Sequence, residues 1–417
     1  MFGILRKSAL SLLLVLACLI LAACPDNPPE NPPSNGQESE PVIEQIPLAE
    51  SPGLHLLYTV NDPRSVAFGS TRAAHVLIAE PDGSRREVLF SFPGFVFHTV
   101  PSPTGEKIAF VAAVRGQDGR EERHLFLYDI DGQTYMDVSA PGFYSRDVQT
   151  APIFTPDGRN VIFISKRSPE TGIFNIFKCE VESGRVGGLY TDPVEDVPLS
   201  MMPDGIHCIV VRRVQDTPSS LEYISIDVNT GTHEILFRFN NVTKVGPPHS
   251  SPDGSRIYCD IKPSEENQAN PFAVPSRQVL SVDPASRTRT VLLDPNTVTY
   301  LYQVFIAEDG TEKLLLRRQE AIEGEDTPMS RIAVTAADGS GFTYLTDTAA
   351  RSYLLPPPSN IPPISPDYSL LFFYRQDPVF EHEDIWVMNI DGTNPVNISN
   401  TAGYNEGSAG WIVIPEA

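Results

Sequence analysis

The chain has 417 residues, with 31 Lys and Arg against 53 Asp and Glu, a formal net charge of -22, and 39 Pro beside 28 Gly. A hydrophobic share of 41% excludes a wholly disordered chain, and the acidic balance excludes nucleic-acid binding by neutralisation of a phosphate backbone. Proline and glycine scattered throughout exclude long helices and predict short strands joined by turns.

Arg6 and Lys7 precede an uncharged run over residues 8–23 that ends in Leu21-Ala22-Ala23-Cys24. A basic start, a short apolar stretch and small residues before a cysteine predict a signal peptide over residues 1–23. The run is ~16 residues long, short of the ~20 that a membrane-spanning helix needs. It resembles the bacterial lipoprotein signal. That resemblance implies export, lipidation of Cys24, and attachment to a bacterial membrane by lipid alone, on the periplasmic or cell-surface side. Residues 24–53 are rich in Pro, Asn, Glu and Ser, lack Lys and Arg, and cannot bury a core, so they are expected to form a disordered tether.

Cys18 leaves with the signal, so Cys179, Cys208 and Cys259 remain for the folded part, each within an apolar run. Buried free thiols are the expectation, with one disulfide plus one thiol as the alternative. No Cys spacing suggests zinc.

A turn signature then recurs: Ser102-Pro103-Thr104-Gly105, Thr155-Pro156-Asp157-Gly158, Met202-Pro203-Asp204-Gly205, Ser251-Pro252-Asp253-Gly254, Ala307-Glu308-Asp309-Gly310 and Ser365-Pro366-Asp367-Tyr368. Their fourth positions lie 53, 47, 49, 56 and 58 residues apart. Each is followed by a strand apolar on both faces, such as Val161-Ile162-Phe163-Ile164, and then by a second strand ending in an Asp-Gly hairpin turn such as Asp82-Gly83, Asp131-Gly132 or Asp391-Gly392. Units of four antiparallel strands, A to D, at this period are propeller blades. Counting strand B predicts an all-β, seven-bladed β-propeller over residues 54–417, with six or eight blades as the alternative count. The first blade lacks a strand A, and the run Gly410-Trp411-Ile412-Val413-Ile414 is a strand A without a B, so the two ends should pair and close the ring.

The stretch Asp384-Ile385-Trp386-Val387-Met388-Asn389-Ile390-Asp391-Gly392, together with the recurrent Ser-Pro-Asp-Gly, resembles the WD-repeat-like propeller family of TolB. Seven blades depart from the six of TolB, and TolB's N-terminal domain has no counterpart after the tether. The resemblance therefore implies only a class of function, the binding of an envelope protein or a surface polymer, and no cofactor.

Related propellers gate serine peptidases, but no Gly-x-Ser-x-Gly elbow, His-Glu-x-x-His, phosphate loop or dinucleotide fingerprint occurs, so no catalytic residue is assigned. The enzyme alternative is a carbohydrate-active propeller similar to oligogalacturonate lyases, which hold a metal at the channel mouth, or a peptide-processing enzyme. For a metal, the candidates are His98 and His249, just before the turns of blades two and five. The matching positions elsewhere are Ala151, Leu199 and Gln303, so no metal site is expected. Glu381-His382-Glu383-Asp384 reads as solvated loop charge, and the turn aspartates as turn caps rather than calcium ligands.

The alternating strand direction puts the A-to-B and C-to-D turns at one end of the ring, with Asp82, Asp131, Asp157, Asp204, Asp253, Asp309, Asp338, Asp367 and Asp391. At the other end every strand B is followed by a base: Arg64, Arg115, Lys166 and Arg167, Arg212 and Arg213, Lys262, Arg317 and Arg318, Arg375. These bases either pair with acids of the adjacent loops, such as Asp118 or Glu170, or meet a ligand. Binding is predicted on this end, through Arg115, Arg167, Arg213, Lys262, Arg318 and Arg375, the inner positions His98, His249 and Gln303, and aromatic connections bearing Phe95, Tyr144, Tyr302, Tyr353 and Tyr404.

Overall fold

The computed structural model describes residues 52–62, 73–115, 121–139, 148, 150–166, 173–194, 199–214, 220–263, 277–293, 298–320, 328–347, 350–354, 361–376, 383–400 and 405–416. The predicted signal, residues 24–51 of the predicted tether with Cys24, and Arg64, Asp118, Tyr144, Arg167, Glu170 and Tyr404 lie outside them, whereas Gly53, read as the end of the tether, begins the first strand. Seven antiparallel sheets follow one another, one for each repeat, and no helix occurs among the described residues. The protein is a seven-bladed β-propeller.

The recurrent turn joins strands A and B by one mechanism. The fourth residue donates its N–H to the carbonyl of the first, as Gly158 does to Thr155 at 2.8 Å and Gly254 to Ser251 at 2.9 Å. This geometry needs a left-handed fourth residue. Gly105, Gly158, Gly205, Gly254 and Gly310 take φ between 68 and 78°, which glycine adopts without penalty. In the last blade Tyr368 is held at φ 59° instead. The Asp131-Gly132 turn differs from expectation: Gln133 carries the positive φ (49°), and Asp129 rather than Asp131 caps the turn by accepting the Gly132 N–H at 2.9 Å.

Each strand B is apolar on both faces because it serves two interfaces. The buried clusters each draw on two consecutive blades: Leu57 and Phe110 join blades one and two, Ile209 and Cys259 join four and five, and Phe305 and Phe373 join six and seven. Cys179, Cys208 and Cys259 are free and buried, with burial pushing each thiol up to about 12. Blade five has a broken inner strand, Val242–Val245 and His249–Ser250, both pairing with Ile257–Pro263. Pro247 and Pro248 sit in the gap and have no N–H to give the ladder.

The ring closes as the sequence predicts. Asn405–Ile414 pairs antiparallel with Gly53–Asn61, placing Trp411 opposite Leu56 and Ile412 opposite His55. Trp411 and Ile412 are buried, and the Trp411 indole donates to Pro363 O at 2.9 Å. A Cβ on Gly105 would fall 1.9 Å from Val413 O, so the blade-two turn is pressed onto the closing strand.

Deletion of residues 405–417 should cost on the order of 5 kcal/mol or more, the burial of Trp411, Ile412 and Ile414 together. Urea unfolding that gives the same stability for the truncated protein would show that this strand does not close the ring. Tyr368→Gly should stabilise the fold by up to about 1 kcal/mol by relieving the left-handed tyrosine, whereas Gly254→Ala should destabilise it by a similar amount.

Candidate functional site

The two ends of the ring use their charges differently. At the turn end, the aspartates accept backbone N–H groups two residues on: Asp82 from Ser84, Asp157 from Arg159, Asp309 from Thr311, Asp338 from Ser340 and Asp391 from Thr393, all at 2.8–3.0 Å. Asp253 is held at about 2, first by the Ser251 hydroxyl and then by the Ser255 N–H. These carboxylates are turn caps, as their spacing implies.

At the opposite end, strand B runs further than its apolar core suggests, as in Lys107–Arg115, His207–Arg213, Ile257–Pro263, Glu312–Glu320 and Leu370–Gln376. The described bases among them are therefore strand residues, and their described acidic partners come mainly from strands rather than from loops such as those of Asp118 and Glu170. Arg212 stands opposite Glu222, and Glu222 opposite Arg238, in one rung across strands B, C and D. Arg212 gives two hydrogen bonds to Glu222 Oε2 (3.1 and 2.7 Å), Arg238 Nε donates to Oε1 at 2.8 Å, and the Arg212 Nη1 group donates to Tyr190 of the preceding blade at 2.9 Å. Burial pushes the Glu222 carboxyl up, but the two guanidiniums outweigh it and hold the group below its ordinary range.

Arg318, a predicted binding residue, lies 3.4 Å from Glu320 and 5.0 Å over the Phe342 ring. Arg375 lies 3.7 Å from Asp347 and 5.2 Å over Trp386. Both belong to the packing of their blades. Lys262 is half-buried and its carbonyl accepts from Thr243, while Arg115 and Arg213 are exposed.

The inner strands hold the other candidates. His98 and His249 lie on the innermost strands of blades two and five, and each has one ring nitrogen, Nδ1 and Nε2 respectively, sealed from solvent with no hydrogen-bond partner. Burial pushes both rings down to about 4. No group of three His, Cys, Asp or Glu side chains placed to hold a metal ion occurs among the described residues. Gln303 Oε1 accepts the Ile364 N–H of the next blade at 3.0 Å and so acts as a brace. Tyr302 and Tyr353, read from the sequence as connections, are inner-strand residues.

Around blades five to seven these aromatics join bases into a ladder. The Arg277 guanidinium lies 4.5 Å from the Tyr300 ring, Arg317 lies 5.6 Å from the same ring and 5.2 Å from Tyr353, and Tyr353 stacks on Tyr374 at 5.9 Å. Asp260 is fully buried, ion-paired with Arg277, and accepts the Leu301 N–H at 3.3 Å. A Cβ at Gly246 would fall 2.1 Å from Asp260 Oδ1, so only glycine fits beside this pair. Sequence reasoning passed over Arg277 and Tyr300: Arg277 follows the long B-to-C segment, outside the window that revealed the other bases.

No protein-family model and no curated protein matches the chain. Among solved structures it is similar to a prolyl endopeptidase, at 13% identity and TM-score 0.54 over 88% of this chain and 51% of that one. It is also similar to the β-propeller domain of the trilobed protease from Pyrococcus furiosus, which has an open velcro topology, at 11% identity and TM-score 0.51 over 74% of this chain and 84% of that one. A third is TolB from Acinetobacter baumannii, at 16% identity and TM-score 0.49 over 86% of this chain and 66% of that one. The chain thus spans about half of the endopeptidase and just under two thirds of TolB. At these identities the likeness is one of fold.

Both of these half-buried histidines, each with one sealed nitrogen, are neutral at pH 7. Each takes up a proton on unfolding between its unfolded value near 6.5 and its folded value of about 4. Stability is therefore full above pH 6.5 and falls as pH drops toward 4, by on the order of 3 kcal/mol per ring. Urea unfolding at pH 7.0, 5.5 and 4.5 should give a shallower decline for His98→Leu with His249→Leu than for the parent, and parallel declines would show that these rings are not sealed.

Proposed function

We propose that the protein is a lipid-anchored, non-catalytic scaffold of a bacterial envelope, tethered through Cys24, and that its propeller docks an envelope protein on the end opposite the recurrent turns. The observation that carries this reading is the contrast between the two ends. Turn-end carboxylates are engaged by backbone N–H groups, whereas the other end gathers guanidiniums and inner-strand tyrosines and presents Arg115 and Arg213 as exposed bases. Rigid strands that aim arginine and tyrosine from the rim of a ring favour a docking role, since these residue types dominate the energetics of protein interfaces. The N-terminal sequence supports the anchor, and the tether could reach ~90 Å at ~3.1 Å per residue.

Cys24→Ser should abolish labelling by palmitate and release the protein from the membrane fraction, while equal labelling of both forms would refute the anchor. Crosslinking in intact cells identifies the docked protein. Arg115→Glu with Arg213→Glu should then weaken its capture, more so at low salt, and Asp131→Lys with Glu308→Lys at the turn end should leave it intact. The reverse pattern would place docking on the turn end.

A further inference from the structure

We propose that Arg317, at the seam between blades six and seven, is a receptor for a peptide carboxylate. This deepens the docking reading above and rests on it. Arg317 projects from strand B of blade six between two rings, Tyr300 of its own inner strand and Tyr353 of the next blade, at 5.6 and 5.2 Å. Its Nε is fixed by donation to Ser330 Oγ at 2.7 Å. Among the described residues it makes no ion pair; the Tyr302 hydroxyl also lies within hydrogen-bonding reach of its guanidinium, and neither Nη group is sealed from solvent without a partner. The other guanidiniums of this region each meet a carboxylate: Arg277 meets Asp260, Arg375 meets Asp347, and Arg331 and Arg318 share Glu320. Glu383 faces Tyr353 and, after burial, raises that phenol further, yet it forms no ion pair with Arg317.

This arrangement selects its ligand. Rings on either side of a guanidinium satisfy its faces by cation–π contact and leave its edge, where two parallel N–H groups match the two oxygens of a carboxylate. Fixing Nε removes the rotamer freedom that a bare surface arginine would lose on binding. One guanidinium edge matches one carboxylate, and a chain of net charge -22 repels polyanions at long range. A single carboxylate on a peptide, at its C-terminus or on an acidic side chain, fits these constraints.

The test uses full-length protein labelled with 15N-arginine, the Arg317 Nε–H signal being assigned by its absence in Arg317→Lys. Titration with N-acetylphenylalanine and with N-acetylaspartate α-amide should shift that signal saturably, the first reporting a terminal and the second a side-chain carboxylate, while N-acetylphenylalanine amide should not. Arg317→Gln should weaken binding, followed by ligand-observed saturation transfer, by about 10- to 100-fold, as expected for charge-assisted hydrogen bonds. Arg317→Lys, which keeps the charge but loses the fork, should weaken it about 10-fold and covers the case in which Arg317→Gln fails to fold. The proposal is overturned if neither carboxylate binds, if the amide or inorganic phosphate binds as well as the carboxylates, or if the Arg317 variants bind like the parent. Loss of carboxylate binding at Arg317 with partner capture unchanged would confirm the receptor while removing it from docking, whereas failure of the Arg115 and Arg213 reversals alone bears only on the scaffold.

Discussion

The constraint on which this molecule depends is that no blade can bury its own core. A four-stranded sheet with Val, Ile, Leu and Phe on both faces must be covered twice, and the buried clusters do this seam by seam, each joining one blade to the next. The last cluster joins Phe372 and Tyr374 of blade seven to Leu56 and Trp411 of blade one. An array left open would expose two apolar faces and two strand edges. Pairing of the chain's two ends is therefore a requirement of the packing rather than an ornament of the topology.

Filling the seams with apolar side chains confines polarity to the ends of the strands and to the inner face of the ring. Charges that enter a seam do so with compensation, as Asp260 does with Arg277 and Glu222 with two guanidiniums. Removing one member of such a group would strand a buried charge, which is far costlier than the net value of the pair. The aromatic rungs at blades five to seven belong to the same economy of space, since a tyrosine ring packs its faces against guanidinium planes at the rim while its backbone stays in the ladder.

Much of this could be read from residues. The Pro-Asp-Gly periodicity revealed the blade count and the place of each A-to-B turn because a left-handed turn residue and an Asp cap are local requirements, independent of what lies across the ring. The free thiols followed from odd number and apolar context. The bases at the end of strand B were also visible, but their partners were not: Glu222 lies across a rung from Arg212, and Glu320 reaches Arg331 from the neighbouring strand. Such pairings depend on register between strands that a loop separates, and a loop of variable length hides the register. Gln303 likewise carried no sign of its bond to Ile364, a contact between blades.

The choice between Arg317 and Arg318 shows how narrow the margin is. Alternate residues of a strand enter opposite seams, so two adjacent arginines never share a role. In blade four, Cys208 and Val210 face blade three and carry Arg212 with them toward Tyr190, while Ile209 and Val211 face blade five with Arg213. In blade six, Leu314 and Leu316 face blade five with Arg318, and Leu315 faces blade seven with Arg317. Both pairs stand at the same distances from the turn glycine, yet the first arginine faces the preceding blade in blade four and the following blade in blade six. The cause is the turn itself. Met202 N–H bonds to His207 O, five residues on, as the other repeats do, whereas Ala307 N–H bonds to Thr311 O, four residues on. The blade-six hairpin closes one residue early and shifts the parity of every side chain after it. The repeat in which Glu308 replaces proline is therefore the one whose first arginine escapes the acid on its own blade and reaches the seam between Tyr300 and Tyr353.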